Sequence, residues 1–223
     1  VKQRVLIERI PAPLASLYEK ATRLVIESYY SGVAEEIVSS FKEGVLLDLG
    51  TGPGYLPIEI LKRSPLIRCD GIDLSGRLIR MARVNAQKAG VADRMNFEVG
   101  NAAKLRSEDA HYDMVISTGM LHMLKDPVKV LSECYRVLKP GGEAWIYDPA
   151  RVSSELDKKK WKASLNVLEK LSYLLFKLYL LINPPFTYRR EQVEEMIAAT
   201  KFKEYEIEEE GKEIRVKLRK SNP

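Results

Sequence analysis

The sequence predicts a doubly wound α/β domain built on a mostly parallel sheet. Three observations predict it. Short apolar runs alternate with segments of helical periodicity along most of the chain. The first apolar run ends in a glycine-rich turn, Asp48-Leu49-Gly50-Thr51-Gly52-Pro53-Gly54, followed at once by a helical pattern. A length of 223 residues suits one such domain with modest additions. Strands separated by helices of roughly 10–15 residues form βαβ units rather than a meander. Right-handed crossovers then place helices on both faces of one sheet.

The elements follow in order. Residues 8–40 read as helical. Residues 45–49 form the first buried strand. Residues 55–62 form a helix with Pro57 in its first turn, where proline is tolerated. A second strand covers 66–73. A helix follows over 75–89, with Gly90 as its stop. Residues 95–99 and 112–117 are the third and fourth strands. Residues 128–138 are a helix closed by Lys139-Pro140-Gly141-Gly142, and 143–147 are the fifth strand. The rhythm then changes. Residues 153–182 read as a long helical region, 192–199 as another helix, and 202–208 with 213–218 as two strands joined at Gly211. No repeat, low-complexity tract or linker marks a second domain. The chain therefore divides into helices at 1–40, a core at 45–148, a helical insertion at 150–186 and a closing helix and hairpin at 187–223.

Composition excludes several classes. A net charge of +5 is too mild to argue for nucleic acid by itself. The two cysteines, Cys69 and Cys134, have no metal-ligand spacing and read as buried thiols of a reducing compartment. No metal site is expected. The most apolar run, 171–182, is too short to span a bilayer and carries Lys177. No secretion signal opens the chain, so the expected location is the cytoplasm. The helix at 165–182 is apolar almost all round near its end. It must bury most of its surface, as a cap over an apolar substrate, against other helices, or as a homodimer face.

The glycine turn carries the first chemistry. Glycines let the backbone turn tightly and approach a ligand closely. The helix beyond the turn offers unpaired N–H groups and the positive end of its dipole. The spacing departs from Gly-x-Gly-x-x-Gly, because Tyr55 stands where that pattern wants its third glycine, and no Gly-Lys-Ser/Thr comes after it. A nicotinamide site or a P-loop is disfavoured. A tight strand-to-helix turn without a ligand would use the same glycines. Asp73 ends the second strand, where an acid can accept hydrogen bonds from both ribose hydroxyls of an adenosine. It can equally cap the next helix, a role Ser75 also fits.

The motifs in series are more specific. Residues 45–54 resemble the first motif of class I S-adenosylmethionine-dependent methyltransferases. Asp73 is similar to their ribose-binding acid. Gly100-Asn101-Ala102 resembles the Gly-Asp-Ala that contacts adenine. Residues 112–117, followed by Leu121-His122-Met123-Leu124, resemble the fourth-strand motif. Asp126-Pro127 and Arg136-Val137-Leu138-Lys139-Pro140-Gly141-Gly142 complete the set. The match covers 45–148 and is nearest the small-molecule branch that includes ubiquinone- and menaquinone-biosynthesis-type enzymes. The resemblance implies a Rossmann-like seven-stranded sheet of order 3-2-1-4-5-7-6 with its last strand antiparallel, and N-terminal helices that form a lid. It implies S-adenosyl-L-methionine as cofactor, with S-adenosyl-L-homocysteine as product. The implied cofactor residues are Asp48, Gly50, Thr51, Gly52, Gly54, Asp73, Leu74, Asn101, Ala102, Ser117 and Thr118. Two departures stand out. Asn101 replaces an Asp, which keeps an acceptor for adenine N6 and loses a charge. Met123 replaces the second His of a common pair.

Methyl transfer from a sulfonium is an in-line displacement, so the protein mainly aligns the reactants and excludes water. His122 reads as a base or a substrate-orienting residue, or else as a packing or capping histidine. Tyr18 resembles a lid tyrosine that closes over the methionine end of the cofactor or faces the substrate; a plain helix-face aromatic is the other reading. Only one of Tyr29 and Tyr30 is expected to face inward. Tyr147 and Asp148 end the fifth strand, where they border the substrate pocket or, for Asp148, cap the next helix. His111 reads as a surface residue. Asn183-Pro184-Pro185-Phe186 resembles an amino-methyltransferase motif but lies far from the fourth strand, so it reads as a helix stop. The expected partner is a small, partly apolar methyl acceptor. An RNA or protein methyltransferase using Arg189, Arg190, Lys217, Arg219 and Lys220 is the alternative, and a non-catalytic S-adenosylmethionine- or nicotinamide-binding module is a further one.

Overall fold

The computed structural model describes residues 29–148, 188–210 and 213–222. Its elements are helix α1 (29–40), β1 (Gly44–Leu49), α2 (Tyr55–Arg63), β2 (Ile67–Asp73), α3 (Gly76–Ala89), β3 (Met95–Val99), β4 (Tyr112–Thr118), α4 (Pro127–Val137), β5 (Leu138–Asp148), α5 (Arg190–Ala198), β6 (Glu204–Glu210) and β7 (Glu213–Arg219). The strands form one sheet of order β3-β2-β1-β4-β5-β7-β6. The first five strands pair in parallel, and β7 runs antiparallel between β5 and β6. This is the sheet the resemblance implied.

Both faces of the sheet are buried, so neighbouring residues of one strand serve different cores. Leu46, Met114 and Trp145 face one core, together with Ile37 of α1, Leu61 of α2 and Ile79 of α3. Leu47, Val115 and Ile146 face the other, together with Leu131 and Cys134 of α4 and Ile197 of α5. Burial of each such large aliphatic side chain stabilises the fold by about 1.5–3 kcal/mol. Both cysteines are buried. Burial pushes the Cys134 thiol up to about 12 and holds Cys69 well above its usual range, so neither is a ready nucleophile.

At the start of α3 the capping side chain is Ser75, not Asp73. The Ser75 hydroxyl caps the helix by accepting from Leu78 N, and Gly90 closes it in a left-handed conformation. Two strand starts differ from the sequence reading by more than one residue. Residues 139–142 do not close the helix. Helix α4 stops at Val137, Leu138 is already extended and pairs with Tyr112, and the register shifts before Met114 meets Glu143. The intervening backbone is tied to the end of β7, with Gly141 N donating to Lys220 O and Lys220 N to Gly142 O. Strand β6 begins at Glu204 instead of 202, because Phe202 is buried edge-on against Tyr135 and its N–H is taken by the Thr200 hydroxyl.

Among the described residues, no helix is long and apolar enough to cross a membrane, and no group of His, Cys, Asp and Glu is arranged to hold a metal ion. The expected helices at 8–28, the insertion at 150–186 with its apolar stretch 165–182, Tyr18 and Asn183-Pro184-Pro185-Phe186 lie outside the described residues.

Candidate cofactor and acceptor site

A cleft opens at the carboxyl ends of β1, β2 and β4, where ligands bind in open parallel sheets. Its floor is the turn after β1. Gly50 and Gly52 take φ angles of 70° and 53°, which side chains other than glycine rarely adopt. In front of Gly52 the space is open: a Cβ there would find only Gly50 O, at 3.9 Å. Helix α2 starts from this turn with Gly54 as its N-cap and no side-chain cap, so the positive end of its dipole lies at the cleft's floor.

Asp73 stands opposite, at the end of β2. One carboxylate oxygen accepts from Gly52 N (3.1 Å) and the other from Ser75 N (2.7 Å). These bonds lock the glycine turn to the strand end. Asp48 lies behind the turn, 2% exposed. Burial raises its carboxyl to about 7, with Asp73 adding to the shift and the Thr51 hydroxyl opposing it.

The sequence-predicted residues fall into three groups. Gly50, Thr51, Gly52, Asp73, Leu74, Asn101, Ala102 and Thr118 line one cleft. Asp48, Gly54 and Ser117 stand behind its wall: Gly54 is packed under Phe97 and Ala82, and the Ser117 hydroxyl donates to Leu49 O. His122 lies beside the cleft, in the short 3-10 turn Leu121–Met123. Asn101 is partly committed, since its side-chain oxygen accepts from Ala103 N at 2.8 Å.

Sequence reasoning missed several lining residues. Tyr30 of α1 and Tyr55 at the start of α2 bring aromatic surface, and Met120, Met123 and Leu124 form an apolar wall. Both Tyr29 and Tyr30 pack against the core, contrary to the expectation that only one would face inward; Tyr30 reaches the cleft beside the Thr118 hydroxyl. Adjacent residues on a helix diverge by about 100°, so two neighbours can flank one wide buried face. His111 is exposed, as expected.

At the ends of β4 and β5, His122 Nδ1 and Asp148 Oδ1 are 2.7 Å apart, with side-chain exposures of 16% and 3%. The strand ends are tied by Gly119 N donating to Tyr147 O. Tyr188 stands near the same carboxylate; burial first, then the Asp148 charge, holds its phenol above the usual range. The pairing joins residues 26 positions apart, and no local spacing announces it. The basic residues near the C-terminus have partners of their own. Lys217 pairs with Glu36 and covers the Trp145 ring, Lys220 donates to Leu138 O, and Arg190 pairs with Glu194 and donates to Ile207 O.

A parallel sheet whose first turn is a glycine cradle, faced by a strand-end acid across an apolar-walled cleft, defines a nucleoside-cofactor-binding α/β domain. Residues 40–212 match a family model described as a methyltransferase domain. The chain belongs to that family. It is 27% identical over 138 residues to the ubiquinone/menaquinone biosynthesis C-methyltransferase UbiE of Geotalea daltonii, covering 61% of this chain and 59% of that protein. A Methanococcus maripaludis crystal structure, of a protein assigned as an S-adenosyl-L-methionine-dependent methyltransferase, shares the fold over the whole chain, with a TM-score of 0.75, 21% identity and 97% of its own chain covered. Phosphoethanolamine N-methyltransferase 2 of Haemonchus contortus, solved with S-adenosyl-L-methionine, is 25% identical with a TM-score of 0.60, over 80% of this chain and 37% of that one. The chain spans less than two thirds of the curated relatives it matches.

Proposed function

We propose that this chain transfers a methyl group from S-adenosyl-L-methionine to a small, partly apolar metabolite. The observation that carries the reading is the pairing of the glycine turn with Asp73: the strand-end carboxylate holds Gly52 N beside a backbone cradle where even a Cβ at Gly52 would meet no side chain. Asp73 would receive the ribose hydroxyls, Leu74 and Ala102 would sandwich the adenine beside Asn101, and Gly50, Thr51 and Gly52 with the start of α2 would take the methionine end. Thr118 borders the reacting end. Asp48, Gly54 and Ser117 support that wall from behind.

The bound sulfonium supplies an activated methyl group. The chain's own work is to orient and to exclude water. Tyr30, Tyr55, Met120 and Met123 give that end an apolar, aromatic lining suited to a partly apolar acceptor. The relatives named above are a ubiquinone/menaquinone biosynthesis C-methyltransferase and a phosphoethanolamine N-methyltransferase, names that point to small molecules. The internal partners of Lys217, Lys220 and Arg190 weigh against a nucleic-acid surface there, and a cytoplasmic setting is part of the same proposal.

The test is methyl transfer from radiolabelled S-adenosyl-L-methionine into an extract of the source organism, with mass identification of the product. Label in a small-molecule fraction is expected. Label confined to RNA or protein would overturn the substrate class.

A further inference from the structure

We infer that Asp148 is a positioning residue that presents His122 as a proton acceptor, and that the methyl acceptor therefore carries a dissociable proton on its nucleophilic atom. The inference rests on the methyl-transfer reading above. An ionised carboxylate can only accept a hydrogen bond. At 2.7 Å from Asp148 Oδ1, His122 Nδ1 is therefore the nitrogen that bears the proton. The lone pair of the neutral ring is left on Nε2, the far edge of the imidazole.

A capping histidine would bond backbone, yet the turn at Leu121–Met123 has no side-chain cap, and the His122 ring bonds the Asp148 carboxylate. The Asp148 side chain is 3% exposed. Burying a carboxylate is costly unless a partner is held to it. The partner here is the one histidine in the turn whose flanking Met120 and Met123 line the cleft. Met123 N donating to Met120 O and Gly119 N donating to Tyr147 O fix that turn to the end of β5, so the pair is rigid as well as buried.

A base helps only where the nucleophile must lose a proton. The acceptor's O–H or N–H proton passes to His122 Nε2 as the nucleophile's lone pair forms the new bond to the methyl carbon. The carbon–sulfur bond breaks with its electron pair returning to sulfur, and the resulting imidazolium is balanced by Asp148. Thioethers and tertiary amines have no such proton and gain nothing from this arrangement.

The full-length chain holds two histidines, so two-bond proton–nitrogen NMR on nitrogen-labelled protein reads the His122 tautomer directly. The expected result is a proton on Nδ1 in the native chain, a changed tautomer balance in Asp148→Asn, and recovery in Asp148→Glu. Methyl transfer is then measured on two pools, catechol with ethanolamine and thioanisole with N,N-dimethylaniline. Label should enter the first pool alone. His122→Gln should lower it about 100-fold and Asp148→Asn about tenfold, with S-adenosyl-L-methionine affinity held within about twofold and Asp148→Glu restoring most of the rate. A proton on Nε2, a tautomer indifferent to Asp148→Asn, or label in the second pool or in neither, overturns the inference. Failure of the native chain to bind S-adenosyl-L-methionine is a separate result that removes the reading beneath it.

Discussion

On the β1–β2–β3 side of the cleft, the side chains of the expected cofactor residues bond mostly close by in sequence. Asp73 holds Ser75 N and Asn101 holds Ala103 N; Asp73 also reaches Gly52 N, 21 positions away. On the β4–β5 side the side chains that meet are far apart in sequence, His122 with Asp148 and Thr118 with Tyr30, the latter pair separated by 88 positions. The first side is a motif folded on itself. The second is assembled by the sheet. The difference teaches that binding of a common cofactor is written locally, whereas selection of the acceptor depends on which strand ends and helices the topology brings together.

The largest way to break the first side is through its packing. Gly71 of β2 lies where a Cβ would come within 2.8 Å of the Phe97 ring and 2.9 Å of the Thr51 hydroxyl. Gly71→Val is expected to destabilise the fold by about 1–3 kcal/mol and to push Thr51 into the cleft, which chemical denaturation and cofactor titration together would register. Next comes Asp73→Ala, which removes the acceptor and frees the glycine turn. Affinity for S-adenosyl-L-methionine should fall by about tenfold or more; unchanged affinity would take Asp73 out of the site.

A smaller effect is expected from Asp48. Its carboxyl is raised from 3.8 to about 7, so the folded state binds the proton more tightly than the unfolded one. The associated stability is full below about pH 4 and is lost as pH rises through about 7. Asp48→Asn should flatten that slope, so the melting temperatures of native and variant chains diverge between those values. Parallel profiles would contradict the assignment. The smallest effect sharpens the contrast from the other side: His122→Ala should leave cofactor affinity within about twofold even where turnover falls.

The same contrast governs what could be read from the residues alone. Strands β1 to β3, the Ser75 cap and the Gly90 stop were legible because apolar periodicity and cap chemistry act within a few positions. The start of β5 at Leu138 was not, because Pro140 and the two glycines carry the signature of a stop while their backbone partner, Lys220, lies at the other end of the chain. The Asp148 partner of His122, and the entry of Tyr30 into the cleft, were hidden for the same reason. Asp73 shows the intermediate case. Its place at a strand end was visible, and that Ser75 rather than Asp73 caps α3 needed the Ser75 hydroxyl's bond to Leu78 N.

The central claim is that the glycine turn and Asp73 form one cofactor cradle. Isothermal titration of the full chain with S-adenosyl-L-methionine and with S-adenosyl-L-homocysteine tests it most directly. One-to-one binding of both, weakened about tenfold by Asp73→Ala, is the predicted result. Absence of binding to either compound by the native chain would contradict the account.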